Sequence, residues 1–200
     1  DLDENRLVDL MAGSRDVFKK REENPNKAAI QAIPKRLVLS VDLSRSMSMF
    51  NGGDRRLDRT LQMVALLLES MDPQRIDYCI VGHSGDAVAE VFVDFGPGKP
   101  SSPEERAAVL SSLFLHATTA DSGDSTLASL QWSIEKCQSA PADDYLVIVT
   151  SDSNIGGYFS SRELQELLTS SETVKSVALF IASLQDAEKI TKEMQPGLAR

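Results

Sequence analysis

Residues 37–47 read LVLSVDLSRSM, an apolar run broken only by Ser40 that meets an acid at Asp42 and then places Ser44 and Ser46 at alternate positions. A run of this kind, apolar on both sides, is the pattern of a strand buried between two layers of helices. Alternation at the strand end turns Asp42, Ser44 and Ser46 the same way, so one carboxylate and two hydroxyls converge. In open parallel sheets, function collects beyond the carboxyl ends of the strands.

Outward from this strand, apolar β-branched runs alternate with helical patterns from Arg36 onward. That alternation predicts an α/β fold, a central mostly parallel sheet with helices on both faces. Residues 56–71 place Leu57, Leu61, Val64, Leu68 and Met71 at helical spacing before Pro73. Residues 76–81 form the next strand, and 88–95 alternate as a hairpin partner at an acidic edge after a Ser-Gly-Asp turn. A helix starts at Pro103 and runs through Leu113, another spans 125–137, and 145–150 is a buried strand. Residues 161–169 read as helix, 174–181 as strand, and 186–194 as the start of a helix that Pro196 and Gly197 end. The expectation is five strands and about as many helices.

Residues 1–34 read as a helical extension and linker, with a short amphipathic helix around Leu7, Leu10, Met11 and Phe18, and the main domain as 35–200. Beginning at Asp1 rather than Met, the chain is expected to be a piece of something longer. Residues 1–36 hold eight basic and seven acidic side chains, while the rest hold 13 and 23, an imbalance of -10, so the acidity behind the chain's formal net charge of -9 belongs to the main domain. That balance opposes attraction to nucleic acid or anionic lipid. No apolar run is long enough to span a bilayer. Cys79 and Cys137 sit among apolar residues and read as buried free thiols of a reducing compartment.

Two further strand ends and loops deliver oxygen ligands to the pole of Asp42. Thr150-Ser151-Asp152 ends the fourth strand, and the loop before the 125–137 helix carries Asp124 and Thr126. Hard, small oxygen donors suit Mg²⁺, which takes about six oxygens at roughly 2.0 to 2.1 Å. Zinc is disfavoured, because His83 and His116 are the only histidines and neither has ligand spacing to a cysteine. Ser44, Ser46, Asp54, Asp124 and Ser125 are each also credible turn formers or helix caps. Asn51 to Asp54 read as a turn before the long helix. Gly82-His83-Ser84-Gly85-Asp86 approaches the nucleophile elbow G-x-S-x-G but has Asp at its last position. Ser84 therefore reads as a turn residue, His116 as structural, and His83 as a candidate support behind the metal pole.

D-x-S-x-S after the first strand, an acid or Thr loop midway, and S-D after the fourth strand together resemble the metal-ion-dependent adhesion site (MIDAS) of von Willebrand factor A domains. The likeness covers residues 35 to 194, and LVLSVDLSRSM, FNGGDRRLDRTLQ, DYCIVGHSGD, SGDSTL and YLVIVTSDSN are similar to the C-terminal domain of a large mitochondrial AAA+ ATPase. The resemblance implies a Rossmann-like sheet of order 3-2-1-4-5-6 with its third strand antiparallel. It also implies a sixth strand and final helix for which the residues after 194 leave no room, so the domain is expected to be truncated, with one side of the 174–181 strand exposed. The implied function is a non-enzymatic, Mg²⁺-dependent protein-protein interaction domain, with Mn²⁺ or Ca²⁺ as substitutes, serving as the substrate-recruiting or regulatory module of an AAA+ ATPase. Partners are then a protein at the metal pole and the rest of the parent chain, in the mitochondrial matrix by resemblance, with no nucleic acid and no membrane. The alternative is a metal-assisted phosphohydrolase, weakened because Ser44 stands where that chemistry commonly wants a second acid.

The candidate ligands are Asp42, Ser44, Ser46, Asp124 and Asp152, with Thr126 as the alternative to Asp124. Matching Gly123 to the family's glycine puts Asp124 where a Thr is usual, so the protein would carry three carboxylates against two positive charges. A partner carboxylate would then be less welcome, and recognition would rest on the rim, with Arg45, Asp54 and Asp86 as candidates.

Overall fold

The apolar run at 37–41 is the middle of strand β1 (Lys35–Asp42), and its alternating side chains enter two separate cores. The computed structural model describes residues 33–71, 74, 76–152 and 159–181. Among them are four more strands, β2 (Ile76–His83), β3 (Glu90–Val93), β4 (Tyr145–Ser151) and β5 (Val174–Phe180). Six helices accompany them: α1 (Arg45–Met49), α2 (Asn51–Asp54), α3 (Arg56–Met71), α4 (Pro103–Thr119), α5 (Thr126–Cys137) and α6 (Ser161–Leu168). The sheet order is β3-β2-β1-β4-β5, with β3 antiparallel to β2 and the other pairs parallel.

Leu37, Leu39 and Val41 of β1 pack with Leu57, Val64 and Leu68 of α3 and Leu113 and Ala117 of α4 on one face. Val38 shares the other core with Val147 and Val149 of β4, Leu130, Ile134 and Cys137 of α5, and Leu164 of α6. Each fully buried aliphatic side chain contributes about 1.5–3 kcal/mol relative to exposure, so both helical layers are tied to the central strand. Because β1 lies between β2 and β4, the ends of three strands come level. Asp42 is in register with His83, and Ser40 with Val149.

Several boundaries differ from the sequence expectation for local reasons. α4 continues to Thr119 rather than stopping near Leu113, because Phe114 and Leu115 lie exposed on a helix whose apolar period is blurred. Its start is strongly specified by a capping box between Ser102 and Glu105 with Pro103 in the first turn. β3 is shorter than 88–95, its pairing shifted at Ile80/Val81. The stretch read as a turn at 51–54 is one helical turn, closed by Asn51, whose amide exchanges hydrogen bonds with Asp58. The expectations of a helix near Leu7 to Phe18, of a helix at 186–194 and of a truncated end to the domain all fall outside the described residues.

Candidate functional site

Both oxygens of Asp42 are held by backbone at the end of β1. Ser44 N–H donates to Oδ1 (2.9 Å) and Asp152 N–H to Oδ2 (3.0 Å), while Asp42's own N–H donates to Thr150 Oγ1 (3.0 Å). The strand ends at Asp42, so strand alternation is not what gathers the serines. Ser44 is the N-cap of α1 and Ser46 lies in its first turn. Their hydroxyls are 3.0 Å apart. The Ser44 side chain caps no backbone N–H, nor does that of Ser125 at the start of α5, so neither is spent on the helix it precedes.

Burial sets the electrostatics. Asp42 is 2% exposed, and burial, reinforced by the negative charge of Asp152, pushes its carboxyl up to about 6. Asp124 is also raised, chiefly by burial and with a smaller contribution from Asp42. His83, wholly enclosed, is pushed down to about 4 by desolvation and stays neutral. Its Nδ1 meets Ser40 Oγ (3.0 Å), Ser40 meets Ser129 Oγ (2.7 Å), and its Nε2 meets Thr126 Oγ1 (3.3 Å). His83 therefore touches Thr126 and no carboxylate.

The loop carrying Asp124 is pinned by a backbone contact. A Cβ on Gly123, whose φ is +142°, would lie 2.7 Å from Gly85 Cα, and one on Gly85 would lie 2.3 Å from the Ser122 carbonyl oxygen. Asp121 N–H also donates to Asp86 (2.8 Å). Asp124 Oδ1 accepts from Thr126 N–H (2.6 Å) at the start of α5. Asp124 borders a cavity of about 200 Å³ with Ser44, Ser46, Ser122, Gly123 and Asp152, whereas Thr126, 2% exposed, lies beneath it against His83.

Sequence reasoning missed two features of this cavity. Arg56, read only as the first residue of a helix, sends Nη1 to Asp152 (3.0 Å) and grips Asp54 through Nε (2.8 Å) and Nη2. Asp54 is thus turned into an ion pair instead of standing on the rim, and Asp86 serves the loop backbone; neither lines the cavity. Arg45 is exposed, and it too is not among the residues lining the cavity. The rim is formed instead by Met49 and Phe50, 65% and 54% exposed, with Phe50 over the Arg56 guanidinium (5.0 Å). The signal was in the sequence, since two large apolar residues end a helix too short to bury them. Among the described residues no three acid, histidine or cysteine side chains form a ready metal cluster. The donor set is mixed, carboxylates with hydroxyls.

Ser84 and His116 do come together. His116 Nε2 lies 3.4 Å from Ser84 Oγ and its Nδ1 2.8 Å from Glu90, the order of a hydrolytic triad. Ser84 is completely buried, however, so no substrate reaches its hydroxyl. The three residues tie the end of β2 to β3 and α4.

No protein-family model matches the chain. It is 34% identical over 98% of its length to the mouse (Mus musculus) von Willebrand factor A domain-containing protein 8, of which it spans 11%. Among solved structures, manganese-loaded TRAP protein of Plasmodium vivax superposes with a TM-score of 0.56 at 15% identity, covering 80% of this chain and 63% of that one. The SpRpn10 VWA domain superposes with a TM-score of 0.51 at 12% identity, covering 81% and 82%. These structures share the fold. Given its D-x-S-x-S turn, a sheet whose antiparallel strand lies at one edge, and identity to its relative along nearly its whole length, the chain belongs to the von Willebrand factor A domain family.

Proposed function

We propose that the domain is a non-enzymatic protein-interaction module that depends on a divalent cation, Mg²⁺ by preference and Mn²⁺ or Ca²⁺ as substitutes. The observation that carries this reading is Asp42: a carboxylate buried beside a second acid, with two hydroxyls in front of it that cap nothing. A bound cation would supply the positive charge this pole lacks and a coordination position for a partner's oxygen. Asp42, Ser44 and Ser46 are its proposed ligands, Asp124 supplies the middle-loop carboxylate in preference to Thr126, and Asp152 the third acid. Arg56 offsets one of those three charges, so a partner carboxylate is less disfavoured than the acids alone suggest. The manganese of the TRAP structure, which shares the fold, supports the cation; a role as substrate-recruiting or regulatory module of an AAA+ ATPase in the mitochondrial matrix is supported by the resemblance of the sequence motifs alone.

The test is titration calorimetry with Mg²⁺ and Mn²⁺ on wild type, Asp42→Ala, Asp124→Ala and Thr126→Ala, followed by capture of partners with wild type against Asp42→Ala. Heat of binding that survives Asp42→Ala overturns the site. Affinity lost in Thr126→Ala and kept in Asp124→Ala reverses the choice of middle-loop ligand.

A further inference from the structure

The cavity's rim has the opposite character to its floor. Residues 45–60 carry four arginines and two aspartates, whereas 61–130 carry three basic and ten acidic residues. Within the basic stretch Asp54 is taken by Arg56 and Asp58 by Arg55, which leaves Arg45 and Arg59, both exposed, without an ion pair among the described residues. Between Arg45 and Arg59 in the sequence stand Met49 and Phe50, both with exposed side chains. Phe50 is also held in place, because the guanidinium beneath its ring is itself clamped between Asp54 and Asp152. A large apolar side chain held rigid in solvent is the kind of anchor that binding surfaces use, since little freedom remains to be lost on contact.

We propose that this lip is a docking surface for an acidic protein segment that carries a large apolar residue, the apolar side chain seated on Met49 and Phe50 and its acidic flanks facing Arg45 and Arg59. The inference rests on the interaction reading above and adds a recognition element separate from the cation. Charge complementarity selects the occupant: a basic segment would meet Arg45 and Arg59 in solvent, and a purely acidic one would leave Met49 and Phe50 uncovered.

The test uses the 200-residue chain and three fluorescein-labelled 12-residue peptides: one with Leu at its centre between Asp and Glu, one with Ser replacing that Leu, and one with Lys replacing the acids. Anisotropy titrations are run in Mg²⁺ and in EDTA on wild type, Met49→Ser, Phe50→Ser and Arg45→Glu/Arg59→Glu. Met49→Ser touches neither the cores nor Arg56, so it reads the lip even if Phe50→Ser melts early. The acidic Leu peptide is expected to bind wild type at least fivefold more tightly than either other peptide, and each variant is expected to lose at least fivefold. Equal binding of the Lys peptide, undiminished binding to Met49→Ser and the double variant, or no binding of the Leu peptide at millimolar concentration overturns the lip. If EDTA abolishes binding while the lip variants keep it, the lip fails and the cation reading stands. If the lip variants weaken binding equally in Mg²⁺ and EDTA, the lip stands as an element separate from the cation, and the cation reading is decided by the calorimetry on Asp42→Ala.

Discussion

At the amino end of the sheet, three acids are each paired with lysine. Asp144 lies between Lys35 (3.0 Å) and Lys175 (3.4 Å), Asp77 meets Lys99 (3.0 Å), and Asp94 meets Lys136 (2.9 Å). At the carboxyl end, Asp42 and Asp124 are held by N–H groups and pair with no basic side chain among the described residues, and Asp152 shares Arg56 with Asp54. The carboxyls respond in opposite directions. Lysines hold Asp144 and Asp94 below the usual range, while burial lifts Asp42 and Asp124 above it. Acid content alone does not distinguish the two ends; the company each acid keeps does. An end that gathers buried acids under one guanidinium holds its folded state at a cost, which is the condition under which a ligand of opposite charge stabilises most.

Four experiments press on that difference. Arg56→Ala should have the largest effect, since it strips the cation from two enclosed acids: about 3 kcal/mol lost in metal-free protein by thermal melting. Mg²⁺ should recover much of that loss, with affinity raised about tenfold, or about 1.4 kcal/mol. A variant that melts with wild type in EDTA would make the carboxyl end no different from the amino end.

Mg²⁺ at one hundred times its dissociation constant should add about 2.7 kcal/mol to wild type and nothing to Asp42→Ala. Identical melts in Mg²⁺ and EDTA would remove the cation from the comparison. Asp42→Asn comes next, gaining about 2 kcal/mol in metal-free protein at pH 7.5, since it deletes a buried charge but also one good acceptor. The pH dependence fixes the sign. Asp42 is raised from near 4 to about 6, so its stabilising protonated form is complete below pH 4 and lost as pH rises to 6. His83 is lowered to about 4, so its contribution is present above pH 6.5 and lost as pH falls towards 4. Relative to wild type, Asp42→Asn should therefore gain stability with rising pH over that window, and His83→Gln should gain it with falling pH. Parallel differences would contradict the assignment. Smallest of all, Asp144→Ala should barely shift the melting curve, because its two lysine pairs are exposed, and should leave Mg²⁺ affinity unchanged.

The sheet was legible because residues 37–41, 76–81 and 145–150 have few ways to bury themselves other than side by side. Asp42, Ser44 and Ser46 were legible because they follow one of those runs at once, although a helix start gathers them rather than the strand's pleat. Asp124 and Thr126 could not be separated, since the two residues straddle the point where loop becomes helix and only tertiary packing decides which one lines the cavity. Arg56 was hidden for a similar reason. Its partner Asp152 is 96 positions away, and nothing local to a helix start announces such a reach. Met49 and Phe50 were passed over because apolar residues near a helix are expected to be core.

The meeting of Gly85 with Gly123 makes two loops into one mechanical part. With backbone against backbone there is no side chain between them to yield, so a displacement of Asp124 carries the end of β2 with it. Through Ser84, His116 and Glu90 the same end of β2 is tied to β3, the strand farthest from β5. Two hydrogen atoms in place of two methyl groups thus couple the cavity to the rim of the sheet, and Gly123→Ala would uncouple them while leaving every candidate ligand in the sequence.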